Sequence, residues 1–206
     1  MRRAPFLGGA LATACALPLR SSAQPALDVS DVVARIPGIT GVVARTMGDE
    51  PPVLAVRADE KFAAASVIKL AILATVYRAY DAGTAKPSDT VKTRASDLIG
   101  GSDVLAGSPA GKEWSIDTLV KAMIRVSDNA ASNTLITAFG MDTVNATMRL
   151  AGMTSSRLGR HFADVVPAWR RSENVMTPGD TATLLYAIER GAREGMPTIA
   201  YSSVAV

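Results

Sequence analysis

The sequence predicts an α/β chain in which an N-terminal β-hairpin leads into a buried helix and then into an all-helical middle. Three observations carry this reading. Ile39–Thr46 and Val53–Arg57 are β-prone runs separated by a turn over Met47–Pro52. Ser66–Tyr80 is apolar on nearly every side of a helical projection, as in a helix buried all round. Three helical runs then follow, with glycines as stops. With 206 residues, 48% of them hydrophobic, the chain can bury the core of one compact domain.

Residues 1–23 stand apart from that domain. Arg2 and Arg3 precede a short apolar stretch and then the small residues Ser21–Ala23, which is the pattern of a secretory signal cleaved near Ala23 and too short to span a membrane. The paired arginines followed by Phe6 and Leu7 are similar to a twin-arginine export signal; a Sec signal is the alternative. The expected location is periplasmic or secreted. The formal charge of +3 belongs to this segment, because Arg2, Arg3 and Arg20 leave with it and the 19 remaining basic residues balance 19 acidic ones. A neutral mature chain gives no support to binding of nucleic acid or an anionic membrane. The one cysteine, Cys15, also lies in the signal, so residues 24–206 have no disulfide or thiol chemistry. A lipid-attachment reading of Cys15 has against it the small Ala12 three residues before.

A short helix over Ser30–Arg35 precedes the hairpin, whose two strands are marginal alone and must pair further. Gly83 ends the central helix, and Thr84–Ser115 reads as a polar loop. Helices are predicted over Ile116–Val126, Ala130–Phe139 and Met141–Ala151, with Gly140 and Gly152 as breaks. Residues 152–176 have no clean period and form a long loop, a length that is usually functional. Thr177-Pro178-Gly179-Asp180 then combines an N-cap, a proline at the first helical position and an acid three residues after the cap. The helix it opens is expected to reach Arg190 and stop at Gly191. Ile199–Val206 reads as the start of another element, and no internal repeat or linker is evident.

Two groups of residues carry chemistry. Ser66 and Lys69 are three apart at the start of the buried helix, so they share one face at a helix mouth where unpaired N–H groups favour negative charge. A serine needs a base to become a nucleophile, and a lysine desolvated among Ile68, Leu70 and Ile72 can be one. The plainer alternative makes Ser66 a helix cap and lets Lys69 snorkel to solvent. Ser127-Asp128-Asn129, at the junction of two helices and followed by Asn133, is the second group. Such residues commonly cap helices. The functional alternative has Ser127 relay a proton while Asn129 bonds substrate and the Lys69 amine.

The order of these motifs is more specific than either alone. Phe62-x-x-Ala65-Ser66-x-x-Lys69, then Ser127-Asp128-Asn129-x-x-x-Asn133, then Thr177-Pro178 resembles the class A serine β-lactamases and their penicillin-binding relatives from about residue 30 onward. The resemblance implies an antiparallel sheet flanked by helices plus an all-helical lobe, with the active site in the groove between them. It also implies acyl transfer on a β-lactam amide, with Ser66 as nucleophile, Lys69 as base or as the group that orients one, Ser127 as proton donor to the ring nitrogen and Asn129 as substrate holder. The Ser66 backbone N–H would supply half of an oxyanion hole. It requires no metal or cofactor, and the partner is a small β-lactam bound by a monomer.

Two departures qualify that expectation. Efficient hydrolases of the family carry a glutamate in the long loop to activate the deacylating water. Here no glutamate lies between Leu158 and Pro167. Counting back from Thr177 brings His161 near that place, with Asp164 and Glu173 as the nearby acids. The family's Lys-Thr-Gly strand, expected well after the Thr-Pro helix, is not reached before Val206; Lys92-Thr93-Arg94 is on the wrong side of Ser127. The expected sheet is therefore incomplete, in a truncated or frameshifted product or a remnant. It would lack a second oxyanion donor, whose loss costs about a hundredfold or more in rate. A slow-deacylating, penicillin-interacting peptidase-like protein and a degenerate non-catalytic remnant are the alternatives to a hydrolase.

Overall fold

A computed structural model describes residues 28–47, 51–101, 103–163 and 173–194. The segment 1–23 expected as an export signal, the middle of the hairpin turn, Asp164 and the segment Ile199–Val206 lie outside the described residues. Helix α1 (Ser30–Arg35) leads to β1 (Val42–Ala44), which pairs antiparallel with β2 (Leu54–Val56) in the register Val42 to Val56. The predicted hairpin forms, with its ladder confined to the middle of each run. Gly41 is required just before β1, because a Cβ there would lie 2.7 Å from both the Phe62 ring and Pro178.

Strand β3 (Phe62–Ala63) follows, and a 3-10 turn over Ala65–Ile68 runs directly into α2 (Lys69–Asp81). The helix thus begins later and more tightly wound than the apolar pattern implies. Its first two turns are the buried part: Ile68, Lys69, Ala71, Ile72, Ala74, Thr75 and Val76 are buried, whereas Tyr77 and Arg78 are exposed. Burial all round therefore holds for the half of the helix that carries Lys69. Gly83, with φ of +68°, follows the last turn.

The stretch expected as a loop over Thr84–Ser115 contains a second ladder, β4 (Thr90–Lys92) with β5 (Glu113–Ser115), and a 3-10 turn at Ala95–Asp97. Three-residue strands are too short to show alternation, and Lys92 and Glu113 face each other at 3.5 Å as an exposed pair. Helices α3 (Ile116–Arg125), α4 (Asn129–Phe139) and α5 (Met141–Leu150) follow as predicted to within a residue, with Gly140 and Gly152 at positive φ. These three pack around α2, and Leu119, Met123, Leu135, Ile136 and Met148 meet Ile68, Ile72 and Val76 in the core.

The long loop ends in β6 (Val175–Met176), which returns beside β3 with Phe62 opposite Met176. Thr177 caps α6 (Pro178–Glu194) by accepting the Asp180 N–H at 3.0 Å. The helix does not stop at Gly191 but passes through it, since one interior glycine costs only about 1 kcal/mol. Helix α6 packs on β1 and α2, joining the hairpin to the helical lobe. The result is a mixed α/β fold whose antiparallel pairing, among the described residues, is limited to short ladders, β1 with β2, β3 with β6 and β4 with β5, so the sheet is incomplete as expected.

Candidate active site

Ser66 sits on the 3-10 turn and is exposed, while Lys69, one turn on, is only 3% exposed. Side chains at i and i+3 eclipse in a 3-10 turn, so the tight start to α2 stacks the two on one face. Neither helix start is capped by a side chain, which removes the capping alternative for Ser66. Lys69 does not snorkel: its ammonium donates to the Ser127 carbonyl oxygen, to Ser127 Oγ at 2.9 Å and to Asn129 Oδ1 at 2.9 Å. All three ammonium protons are used. Burial pushes the Lys69 amine below the usual lysine range, and the negative charge of Asp128 opposes that shift.

The link from Lys69 to Ser66 runs through Ser127, whose Oγ donates to Ser66 Oγ at 2.9 Å. The sequence pattern pointed to direct transfer between Ser66 and Lys69. The described hydrogen bonds instead form a chain of Ser66, Ser127 and Lys69. Ser127 has a left-handed backbone, with φ of +58°, and its side chain lies at the start of α2.

The three residues divide their contacts: Asp128 makes the helix cap, while Ser127 and Asn129 bond the Lys69 amine. Asp128, fully buried, caps α4 by accepting the Ala131 N–H at 2.8 Å. Its other oxygen accepts Val104 N–H at 2.9 Å and Leu105 N–H at 3.1 Å, pinning that loop to the cap. Ser127 and Asn129 on either side are left for Lys69. The Asn129 N–H donates to the Gly101 carbonyl at 3.2 Å, and its Nδ2 to that of Gly100 at 3.3 Å. Gly101 has φ of +72°, and a Cβ there would lie 2.6 Å from Asn129 Nδ2. The Gly100-Gly101 turn carried no signal in the sequence beyond the glycine pair itself.

His161 and its neighbour exchange the places assigned by counting. Asn133, fully buried one turn after Asn129, accepts the Phe162 N–H at 2.8 Å and donates to the Phe162 carbonyl at 3.2 Å. This grip directs the Phe162 ring to Lys69, whose Nζ lies 4.7 Å from the ring centroid. His161 instead has Nε2 3.3 Å from Thr137 Oγ1, and that hydroxyl donates to buried Asp97 at 2.9 Å. The cavity His161 lines, with Arg94, Asp97 and Thr137, has neither Ser66 nor Lys69 in its wall. Phe162 also lines that cavity, and it is the phenyl ring, not the imidazole, that lies over the Lys69 amine. Glu173 is held by Arg160 through both carboxylate oxygens, at 2.9 and 3.1 Å. Among the described residues no cluster of three or more metal-ligating side chains occurs, and no helix is long and apolar enough to cross a membrane.

Comparison with known proteins accords with this architecture. A β-lactamase from Sphaerobacter thermophilus is 33% identical, with a TM-score of 0.62 over 73% of this chain. An ancestral class A β-lactamase is 26% identical, with a TM-score of 0.64 over 79% of this chain. PBP-A, at 23% identity, matches the fold with a TM-score of 0.70 over 89% of this chain and 73% of its own. The chain spans 56% of the Sphaerobacter enzyme and 61% of the ancestral one. The profile of the beta-lactamase enzyme family matches residues 24–197, and the chain belongs to that family.

Proposed function

We propose that the protein is a serine hydrolase of β-lactam amides that works through an acyl-enzyme on Ser66. The observation that carries this reading is the buried Lys69 amine, joined to Ser127 and Asn129 and through Ser127 to the exposed Ser66 hydroxyl. For the amine to act as a base it must first lose a proton, which its burial favours. Ser66 Oγ then bonds to the lactam carbonyl carbon while its proton passes by way of Ser127 to Lys69. The carbon–nitrogen bond breaks as Ser127 returns a proton to the ring nitrogen, and Asn129 holds the substrate beside it. The Ser66 backbone N–H stabilises the carbonyl oxygen as it gains charge. Water then cleaves the ester and frees Ser66.

The organisation that goes with this activity is an export signal over 1–23, a catalytic domain over 24–206 acting in the periplasm or outside the cell, and a monomer with no cofactor. A second reading, slow release of the acyl group as in a penicillin-interacting peptidase, is favoured by the absence of a glutamate between Leu158 and Pro167. Turnover of a chromogenic cephalosporin tests the first reading. Steady hydrolysis lost in Ser66→Ala and reduced at least a hundredfold in Ser127→Ala supports it. A single stoichiometric burst supports the second, and no reaction from the folded protein rejects both.

A further inference from the structure

We propose that Phe162 is a positioning residue: its ring, held in place by Asn133, covers the Lys69 amine and keeps water from it, so that the amine can serve as a base. The proposal deepens the reading of Lys69 as the base. Helix α4 carries the whole device on one face. Asn129 accepts from Lys69, and Asn133, one turn on, spends both ends of its amide on the Phe162 peptide. The next turn presents Thr137 to His161. The segment 161–162 is thereby fixed at two points on one helix, and the ring between them is aimed at Lys69.

The ring acts on the amine in two opposed ways. Its negative face attracts the ammonium, which favours the charged form. Its bulk excludes water, which favours the neutral form. Desolvation is the larger influence on Lys69, and its amine falls below the usual lysine range despite the ring. Among the charged groups near the amine, Asp128 from the α4 cap favours the ammonium. His161, next to Phe162, is turned to Thr137, and Glu173 is held by Arg160. An aliphatic cover of similar size would thus preserve the effect, and a hole would abolish it.

The test is an NMR titration of protein labelled at lysine Cε, with the Lys69 signal assigned by its loss in Lys69→Arg. Phe162→Ala is expected to move the Lys69 midpoint upward, and Phe162→Leu to leave it at or below the wild-type value. Each unit of upward movement lowers the neutral-amine fraction at pH 7 about tenfold, and any acylation rate should fall in step. An Ala midpoint at or below wild type overturns the proposal. If Phe162→Ala does not fold, Phe162→Thr brings a hydroxyl to the amine and must shift the midpoint the same way. A shifted midpoint in a protein that never acylates would reject the proposed function and leave the role of Phe162 standing.

Discussion

Lys69 is costly to bury and is the residue on which the site turns. A buried ammonium loses hydration that its hydrogen bonds to Ser127 and Asn129 only partly replace. Its folded proton affinity lies below that of the unfolded chain, whose value is near 10.5. Between those two values the unfolded state binds more protons, so stability rises with pH across that interval. At lower pH the amine is charged in both states and its burial cost is felt in full. Urea midpoints measured against pH should show this rise in the wild type and not in Lys69→Met, which should also abolish reaction with β-lactams. Ser66 and Lys69 were legible in the sequence because their spacing and apolar surroundings are local. Ser127 as the intermediary was not, because it depends on a left-handed backbone that no residue type announces.

Among the elements, the junction of α3 and α4 does most to build the site. Asp128 satisfies three backbone N–H groups from two segments. Asp128→Ala should therefore lower unfolding stability by about 2–4 kcal/mol, since it removes a cap and leaves buried donors unpaired. A denaturant titration measures this. Gly101→Ala forces a Cβ against Asn129 on a left-handed residue, and should lower stability by about 1–2 kcal/mol while weakening substrate holding. A raised KM alongside the shifted melting midpoint is the expected pair of changes. The helices of this lobe were read to within a residue because glycines punctuate them. The ladder of β4 and β5 was hidden by its length, and the end of α6 was misplaced because an interior glycine is tolerated when the helix is packed. That Phe162 rather than His161 lies over Lys69 was not legible either, because counting places a residue along a loop while the Asn133 bonds to the Phe162 peptide depend on the fold.

At the scale of the molecule, the hairpin, β3 and α6 converge where Gly41 lies against Phe62 and Pro178. Gly41→Ala should cost about 1–3 kcal/mol by forcing these pieces apart, and its melting transition should broaden if the hairpin detaches first. Such coupling matters because Phe62 begins the strand that delivers Ser66 to the mouth of α2. The fold thus brings a buried lysine amine, a linking serine and an exposed serine hydroxyl together. The most direct test of the account is the intact mass of the mature chain after incubation with a penicillin, with Ser66→Ala alongside and circular dichroism to establish folding. The account predicts a covalent adduct of one penicillin on the wild type that is absent from Ser66→Ala. A folded wild-type protein that acquires no adduct, or a Ser66→Ala protein that acquires the same one, would contradict it.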